Sequence, residues 1–167
     1  MKFYTMFDNG SGSLAIMPHP PAGESLAAHV QFLAENGFHS VISLLTDTEA
    51  RKLGLTEEGD AVIEGGMDFR SFPVSDMGVP DELPAFYNLA CDISRLIKQE
   101  RRIVVHCWAG IGRSGLLASA VLVVLGDKPD TVFNRVTMAR GKQVPETQEQ
   151  KRWFVQEFLP FFDNAIH

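Results

Sequence analysis

The sequence predicts an α/β fold, with a central, largely parallel sheet of four to five strands and helices on both faces. Short apolar runs at residues 41–45, 69–74 and 103–105 alternate with longer segments of helical character. That alternation is the pattern of strands joined by crossover helices. The third run is followed by a loop holding two glycines and then by a long apolar stretch, residues 116–125, which reads as strand, tight loop and buried helix. The length agrees, because 167 residues suit one core that removes roughly 70% of the unfolded chain's surface from water. One catalytic domain over residues 1–167 is expected.

Taken in order, residues 3–6 and 14–17 are short strand candidates around the turn formers Asp8, Asn9 and Gly10. Pro18, Pro20 and Pro21 end that region as a rigid loop. Ser25 opens a helix reaching about Glu35, with Asn36 and Gly37 as its stop signal. Residues 41–45 form a buried strand. Residues 48–53 and 56–64 read as short helices, the second capped by Thr56. Residues 69–74 form a strand running into a loop marked by Pro73, Gly78 and Pro80. A long amphipathic helix covers residues 83–99, with Asp81 as its cap and Pro84 in its first turn. Residues 103–105 are the central strand. Three helices close the chain at residues 115–125, 129–139 and 147–159, the last capped by Thr147.

Composition narrows the function. The net charge of −6 gives no basic footprint for nucleic acid. Two cysteines, Cys91 and Cys107, are too few for a disulfide framework. No stretch approaches the ~18 apolar residues of a membrane span, and residues 1–14 lack the pattern of a leader. His19, His29, His39 and His167 show no metal-ligand spacing. The expectations are no metal, no cofactor, no nucleic-acid or membrane partner, and a monomer.

The chemistry is concentrated in His106-Cys107-Trp108-Ala109-Gly110-Ile111-Gly112-Arg113-Ser114-Gly115. A loop entering a helix offers unpaired backbone N–H groups and the positive end of the helix dipole. Gly110 and Gly112 let the backbone curl closely around a ligand. The product is a nest for a tetrahedral dianion, with Arg113 as a planar two-pronged clamp. Trp108, Ala109, Gly110, Ile111, Gly112 and Arg113 are the candidate substrate-binding residues, with Trp108 and Ile111 shaping the rim. The same field acts on Cys107, because helix N-termini and nearby cations lower a thiol pKa from roughly 8.5 to about 3.5–7.5. The implied reaction is in-line attack of Cys107 on phosphorus, giving a phosphocysteine that water hydrolyses. With such a nucleophile, a reducing cytoplasm is the expected location.

A general acid must protonate the leaving oxygen. Asp76 lies in the mobile-looking segment Phe72-Pro73-Val74-Ser75-Asp76-Met77-Gly78-Val79-Pro80-Asp81, after a strand and before a helix. Asp81 is the fallback.

The string around Cys107 resembles the signature H-C-x5-R-[ST] of the cysteine-dependent protein tyrosine and dual-specificity phosphatases. From residue 14 to 158 the chain looks like their small branch near the cyclin-dependent kinase-associated phosphatases. The matching pieces are the Pro-rich residues 17–23, Val41-Ile42-Ser43-Leu44-Leu45 with Glu49, the Asp76 loop and the signature. The resemblance implies a catalytic set of Cys107, Arg113, Asp76 and Ser114. Ser114 would bond the thiolate and ease its departure in the second step, besides serving as a helix cap. His106 would organise the loop and support a low thiol pKa. Many relatives place a glutamine before the threonine that opens the last helix, where it positions the hydrolytic water. Here Glu146 stands there, with Gln148 and Gln150 beyond Thr147, so that role stays open. Some relatives also form a reversible disulfide with the nucleophile, which leaves a Cys91–Cys107 pairing open; Cys91 otherwise reads as core. Asp47 and Glu49 follow a strand and read as a solvated turn, with a place on the cleft rim as the alternative; Arg101 and Arg102 read as a solvated strand entry, and Arg140 with Lys142 as candidates for a second substrate charge.

The expected function is a phosphomonoester hydrolase of the dual-specificity type, acting on a phosphorylated protein or peptide. Phosphoinositide and RNA 5′-phosphatases of the same fold are the alternatives. The loop from Trp108 to Gly112 contains no lysine for extra phosphates, and the chain lacks a basic membrane-binding tract. A non-catalytic phosphate-binding module is the other class, but binding alone needs no thiol.

Overall fold

The computed structural model describes all residues, Met1–His167. Five strands form one sheet: β1 (Tyr4–Asp8), β2 (Ser13–Met17), β3 (Ser40–Ser43), β4 (Asp68–Ser71) and β5 (Arg102–His106), in the order β1-β2-β5-β3-β4. Only β1 runs antiparallel; β2, β3, β4 and β5 run parallel to one another. The Asp8 and Asn9 carboxyl and amide oxygens accept from the Gly10, Ser11 and Gly12 N–H groups, which makes the expected turn between β1 and β2.

The helices are α1 (Glu24–Glu35), α2 (Asp47–Leu53), α3 (Glu58–Glu64), α4 (Leu83–Lys98), α5 (Gly112–Val124), α6 (Val132–Arg140) and α7 (Gln148–Trp153). A π-helical segment, Phe154–Phe158, joins α7 to α8 (Leu159–Ile166). Strand side chains alternate between two apolar layers. Leu14, Ile16, Ile42, Ile103 and Val105 join the larger core with α4, α5 and the C-terminal helices. Ala15, Met17, Val41 and Val104 join the smaller one under α1 and α3. The helix α5 is buried along almost its whole length, which explains why its sequence is apolar all round rather than amphipathic.

Several boundaries differ from expectation. Thr56 does not cap α3, whose N-cap is Glu57, and Asp81 does not cap α4, whose N-cap is Glu82; neither cap makes a side-chain bond. Pro84 does sit in the first turn of α4. Ser114 is no cap either, because α5 starts at Gly112 with Ile111 before it. The last helix runs past residue 159. The π segment ends at Phe158, so Pro160 falls in the first turn of α8, where its missing N–H is tolerated.

The strand β4 ends at Ser71, but the chain beyond it stays extended. Phe72 N donates to Ser43 O at 2.9 Å and Val74 N to Leu44 O at 3.1 Å. Leu44 N in turn donates to His106 O. His106 is registered with Met17 on one side and Ser43 on the other. The carboxyl ends of three parallel strands therefore meet at the residue before Cys107, where open α/β sheets place their ligands. No helix is long and apolar enough to cross a membrane.

Candidate active site

Cys107 leaves β5 and starts a tight loop that ends where α5 begins. Gly110 has φ +64°, and a Cβ there would run into the Met17 carbonyl; glycine alone fits both demands. A Cβ on Gly112 would meet the Glu146 carboxylate. The loop's carbonyls are tied outward. His19 N donates to Trp108 O at 3.1 Å. Arg140 Nε donates to Gly110 O at 2.7 Å, and its Nη2 to Ala109 O at 3.1 Å. In planar trans peptides the N–H points opposite to the C=O, so the next three N–H groups turn to the concave side. Arg140 is itself buried, with its guanidinium 3.9 Å from the Tyr4 ring centroid. It shapes the nest from behind and does not meet a second substrate charge, as the sequence had suggested. Lys142 is exposed.

Arg113 is 2% exposed and held by named acceptors. Its Nη1 and Nη2 donate to the two Glu49 oxygens at 2.8 and 2.9 Å, a bidentate pair. Nη1 also donates to Val74 O at 2.8 Å, and Nη2 to Asp76 Oδ1 at 3.0 Å. Burial opposes the charge of Arg113, yet the Glu49 bond and the electrostatic pull of Cys107, Glu49 and Asp76 raise its pKa further. Burial also pushes the Glu49 carboxyl up, but bonds from Arg113 and from Thr46 outweigh it and hold it below the usual carboxylate range. Thr46 and Glu49 form a capping box at the start of α2. Glu49 is thus a site residue, not a solvated turn. Asp47, by contrast, simply opens α2.

Asp76 follows the extended segment from β4. Its Oδ1 also accepts from Met77 N at 3.0 Å, and Met77 takes φ +60°. The loop is braced from the far end of the chain. Gln150 is fully buried; its Nε2 donates to Gly78 O at 3.1 Å, and its Oε1 accepts from Glu146 N and Thr147 N. Thr147 caps α7 as expected, in a box with Gln150. Gln150 is committed to bracing, Gln148 is exposed, and Glu146 lines the cleft.

The cleft has a volume of about 470 Å³ and is lined by Cys107, Arg113, Asp76, Glu49, Trp108, Ala109 and Glu146, among others. Lys52 lies at its mouth, its Nζ 5.6 Å from the Trp108 ring centroid. Of the expected site residues, Cys107, Arg113, Asp76, Trp108 and Ala109 converge here. Gly110 and Gly112 belong to the same loop but are not among the residues lining the cleft. Ile111 packs against the larger core instead of shaping the rim. Ser114 is fully buried in the first turn of α5, and its Oγ has no protein partner. Asp81 is exposed and stands outside the cleft lining. Cys91 is a free, half-buried thiol on α4, outside both cores. No group of three or more His, Cys, Asp or Glu side chains is placed to hold a metal ion.

Sequence reasoning misread Glu49 and Arg140 and missed Glu58. The Thr46-x-x-Glu49 pattern was readable as a capping box. Nothing marked Glu58, whose Oε1 lies 2.6 Å from His106 Nε2 with both side chains buried.

A cysteine at the end of a central parallel strand, a glycine loop, an arginine at the start of the next helix and an aspartate loop facing them define the dual-specificity class of protein tyrosine phosphatase-like folds. The family model described as polymorphic toxin system, DSP-PTPase phosphatase, matches residues 15–127. That is well over half the chain, and the chain belongs to this family. It is 26% identical over 128 residues to cyclin-dependent kinase inhibitor 3 of Rattus norvegicus, covering 75% of this chain but only 59% of that protein. A crystal structure of kinase associated phosphatase, with serine in place of its catalytic-site cysteine, superposes with a TM-score of 0.85 at 19% identity, over 100% of this chain and 97% of the other. PTPMT1 in complex with PI(5)P superposes with a TM-score of 0.76 at 17% identity, each chain covered to 99%.

Proposed function

We propose that this chain is a phosphomonoester hydrolase that works through a phosphocysteine, and that its substrate is a phosphorylated protein or peptide. The observation that carries the proposal is the convergence of Cys107, Arg113 and Asp76 on one cleft. The cysteine in the catalytic site of kinase associated phosphatase supports giving Cys107 the nucleophile's part.

The donors of Arg113 suggest how the site works. A guanidinium has five N–H groups. Glu49 takes two, Val74 O one and Asp76 one. The Nε–H and the Nη2–H now directed at Asp76 are those a phosphate can take. An arriving dianion therefore exchanges with Asp76 on Arg113 while Glu49 keeps the guanidinium in plane. Asp76, displaced from Arg113, takes up a proton beside the arriving dianion and is placed to pass it to the leaving oxygen. The Cys107 thiolate attacks phosphorus, the P–O bond to the substrate breaks, and the leaving oxygen departs as an alcohol or phenol. Water then attacks the phosphocysteine, Asp76 takes its proton, the P–S bond breaks, and phosphate and the Cys107 thiolate separate. The free Cys91 and Cys107 thiols fit a reducing compartment such as the cytoplasm.

The test is phosphate release from phosphotyrosine and phosphothreonine peptides, a phosphoinositide and an RNA 5′-triphosphate, with Cys107→Ser as control. Release from the peptides, lost in the variant, is expected. Turnover of only the lipid or only the RNA would move the substrate class. No turnover of any, with phosphate still bound, would leave a binding module.

A further inference from the structure

We infer that Glu58 is a positioning residue: its carboxylate holds a second proton on the His106 ring and so keeps a positive charge directly behind the Cys107 loop. Glu58 stands in the first turn of α3 and is 3% exposed; His106, the last residue of β5, is fully buried. Glu58 Oε1 lies 2.6 Å from His106 Nε2. The other ring nitrogen, Nδ1, lies 3.2 Å from Cys107 O. Each nitrogen thus faces an oxygen acceptor. A neutral imidazole donates from one nitrogen only, whereas an imidazolium donates from both. A buried carboxylate is costly unless a charge or donor compensates it, and His106 is the side chain that meets Glu58. The ion pair satisfies both groups and leaves the cationic ring one peptide from the sulfur.

The other titratable groups around the pair do not supply that charge. His29 faces it from α1, and burial, then the charge of His106, disfavour its protonation. On the far side of Cys107, Arg113 is matched by Glu49 and Asp76, and Glu146 and Lys52 line the same cleft. Glu58 also forms part of the wall of a second cleft, with Asp47, Arg51 and Asp60. The inference rests on Cys107 being the nucleophile of the proposed reaction.

Glu58→Gln keeps the size and removes the charge that holds the second proton. In a Cys91→Ser background, the rate of Cys107 alkylation by iodoacetamide is followed against pH, beside kcat/KM for an aryl phosphate. The acidic limbs of both profiles are expected to move up by about one pH unit. The rate at the acid end falls about 10-fold, while the alkaline plateau holds within about twofold. Glu58→Asp should restore the limb toward its original place, and Glu58→Gln should shift nothing further in a His106→Asn background. A loss that is uniform across pH, or an unmoved profile, would overturn the inference. Nitrogen-15 spectra of the unmutated protein give a reading that needs no variant: both His106 nitrogens should be protonated at pH 7, and one bare nitrogen would overturn it. Alkylation needs no turnover, so a chain whose thiol follows this profile but hydrolyses nothing would refute the proposed function and not the role of Glu58.

Discussion

Arg113 is the residue on which the account turns, because its two faces do different work. Glu49 and Val74 O fix its orientation, and the remaining donors are left to the substrate. Arg113→Lys keeps the charge and loses the fork, so affinity for inorganic phosphate and turnover should both fall; titration with phosphate and steady-state kinetics check this, and unchanged values would place the phosphate elsewhere. Glu49→Gln leaves Arg113 charged but poorly aimed. A misplacement of ~1 Å costs on the order of 10²-fold in rate, and kcat should fall more than phosphate affinity. The pH dependence has a definite sign. The folded-state pKa of Glu49 lies below its usual value, so its stabilising pair is fully present above the ordinary carboxylate range and is lost as pH falls through the lowered value. Glu49→Gln should flatten that acidic decline in melts run against pH. For Asp76, the loss on change to Asn should track the leaving group: on the order of 10²–10⁴ for alkyl phosphates, and smaller for a nitrophenyl phosphate. If Asp81→Asn shows that pattern and Asp76→Asn does not, the acid is misassigned.

At the scale of elements, the Asp76 loop is hung from β3 at one end and braced at the other. Phe72 and Val74 continue the pairing to β3 as far as Leu44, and Gln150 ties Gly78 to the start of α7. Gln150→Ala removes that strap and half of a capping box. It should cost about 1 kcal/mol in stability and lower kcat for alkyl more than aryl phosphates, read by denaturant melts and parallel kinetics. An equal loss on both substrates would deny the strap any part in placing Asp76. The strand–loop–helix around Cys107 was legible because all its parts lie within ten adjacent residues and each has a local signal. Glu49 was not, because one carboxylate after a strand looks the same whether it faces water or an arginine 64 residues away. Arg140 was misread for a similar reason: a basic residue near a cleft gives no sign that its partners are the carbonyls of the loop. Caps at Thr56 and Asp81 failed because a cap-type side chain one or two residues from a helix start need not make the bond.

For the molecule as a whole, the sheet divides two apolar layers, and the site lies where β2, β3 and β5 end together. The class of fold and its five strands were readable because strand and helix patterns alternate with little interruption; the π segment was not, since it has no period of its own. The smaller layer also contains a pH-sensitive element. His29 is 5% exposed, its ring nitrogens have no protein partner, and burial lowers its pKa. Below the ordinary histidine range the unfolded chain takes up a proton that the folded chain refuses, so stability present at neutral pH declines as pH falls. His29→Leu should flatten that decline and add about 1 kcal/mol at pH 6; melts at pH 5 to 8 would show it, and a parallel curve would contradict it. The central claim is that phosphate passes through the sulfur of Cys107. Its most direct test is rapid acid quench of the protein during turnover of a phosphopeptide, followed by mass analysis of the peptide carrying Cys107. The account predicts a phosphate on that cysteine, absent in Cys107→Ser. Turnover at an undiminished rate in Cys107→Ser, or phosphate trapped on another residue, would contradict it.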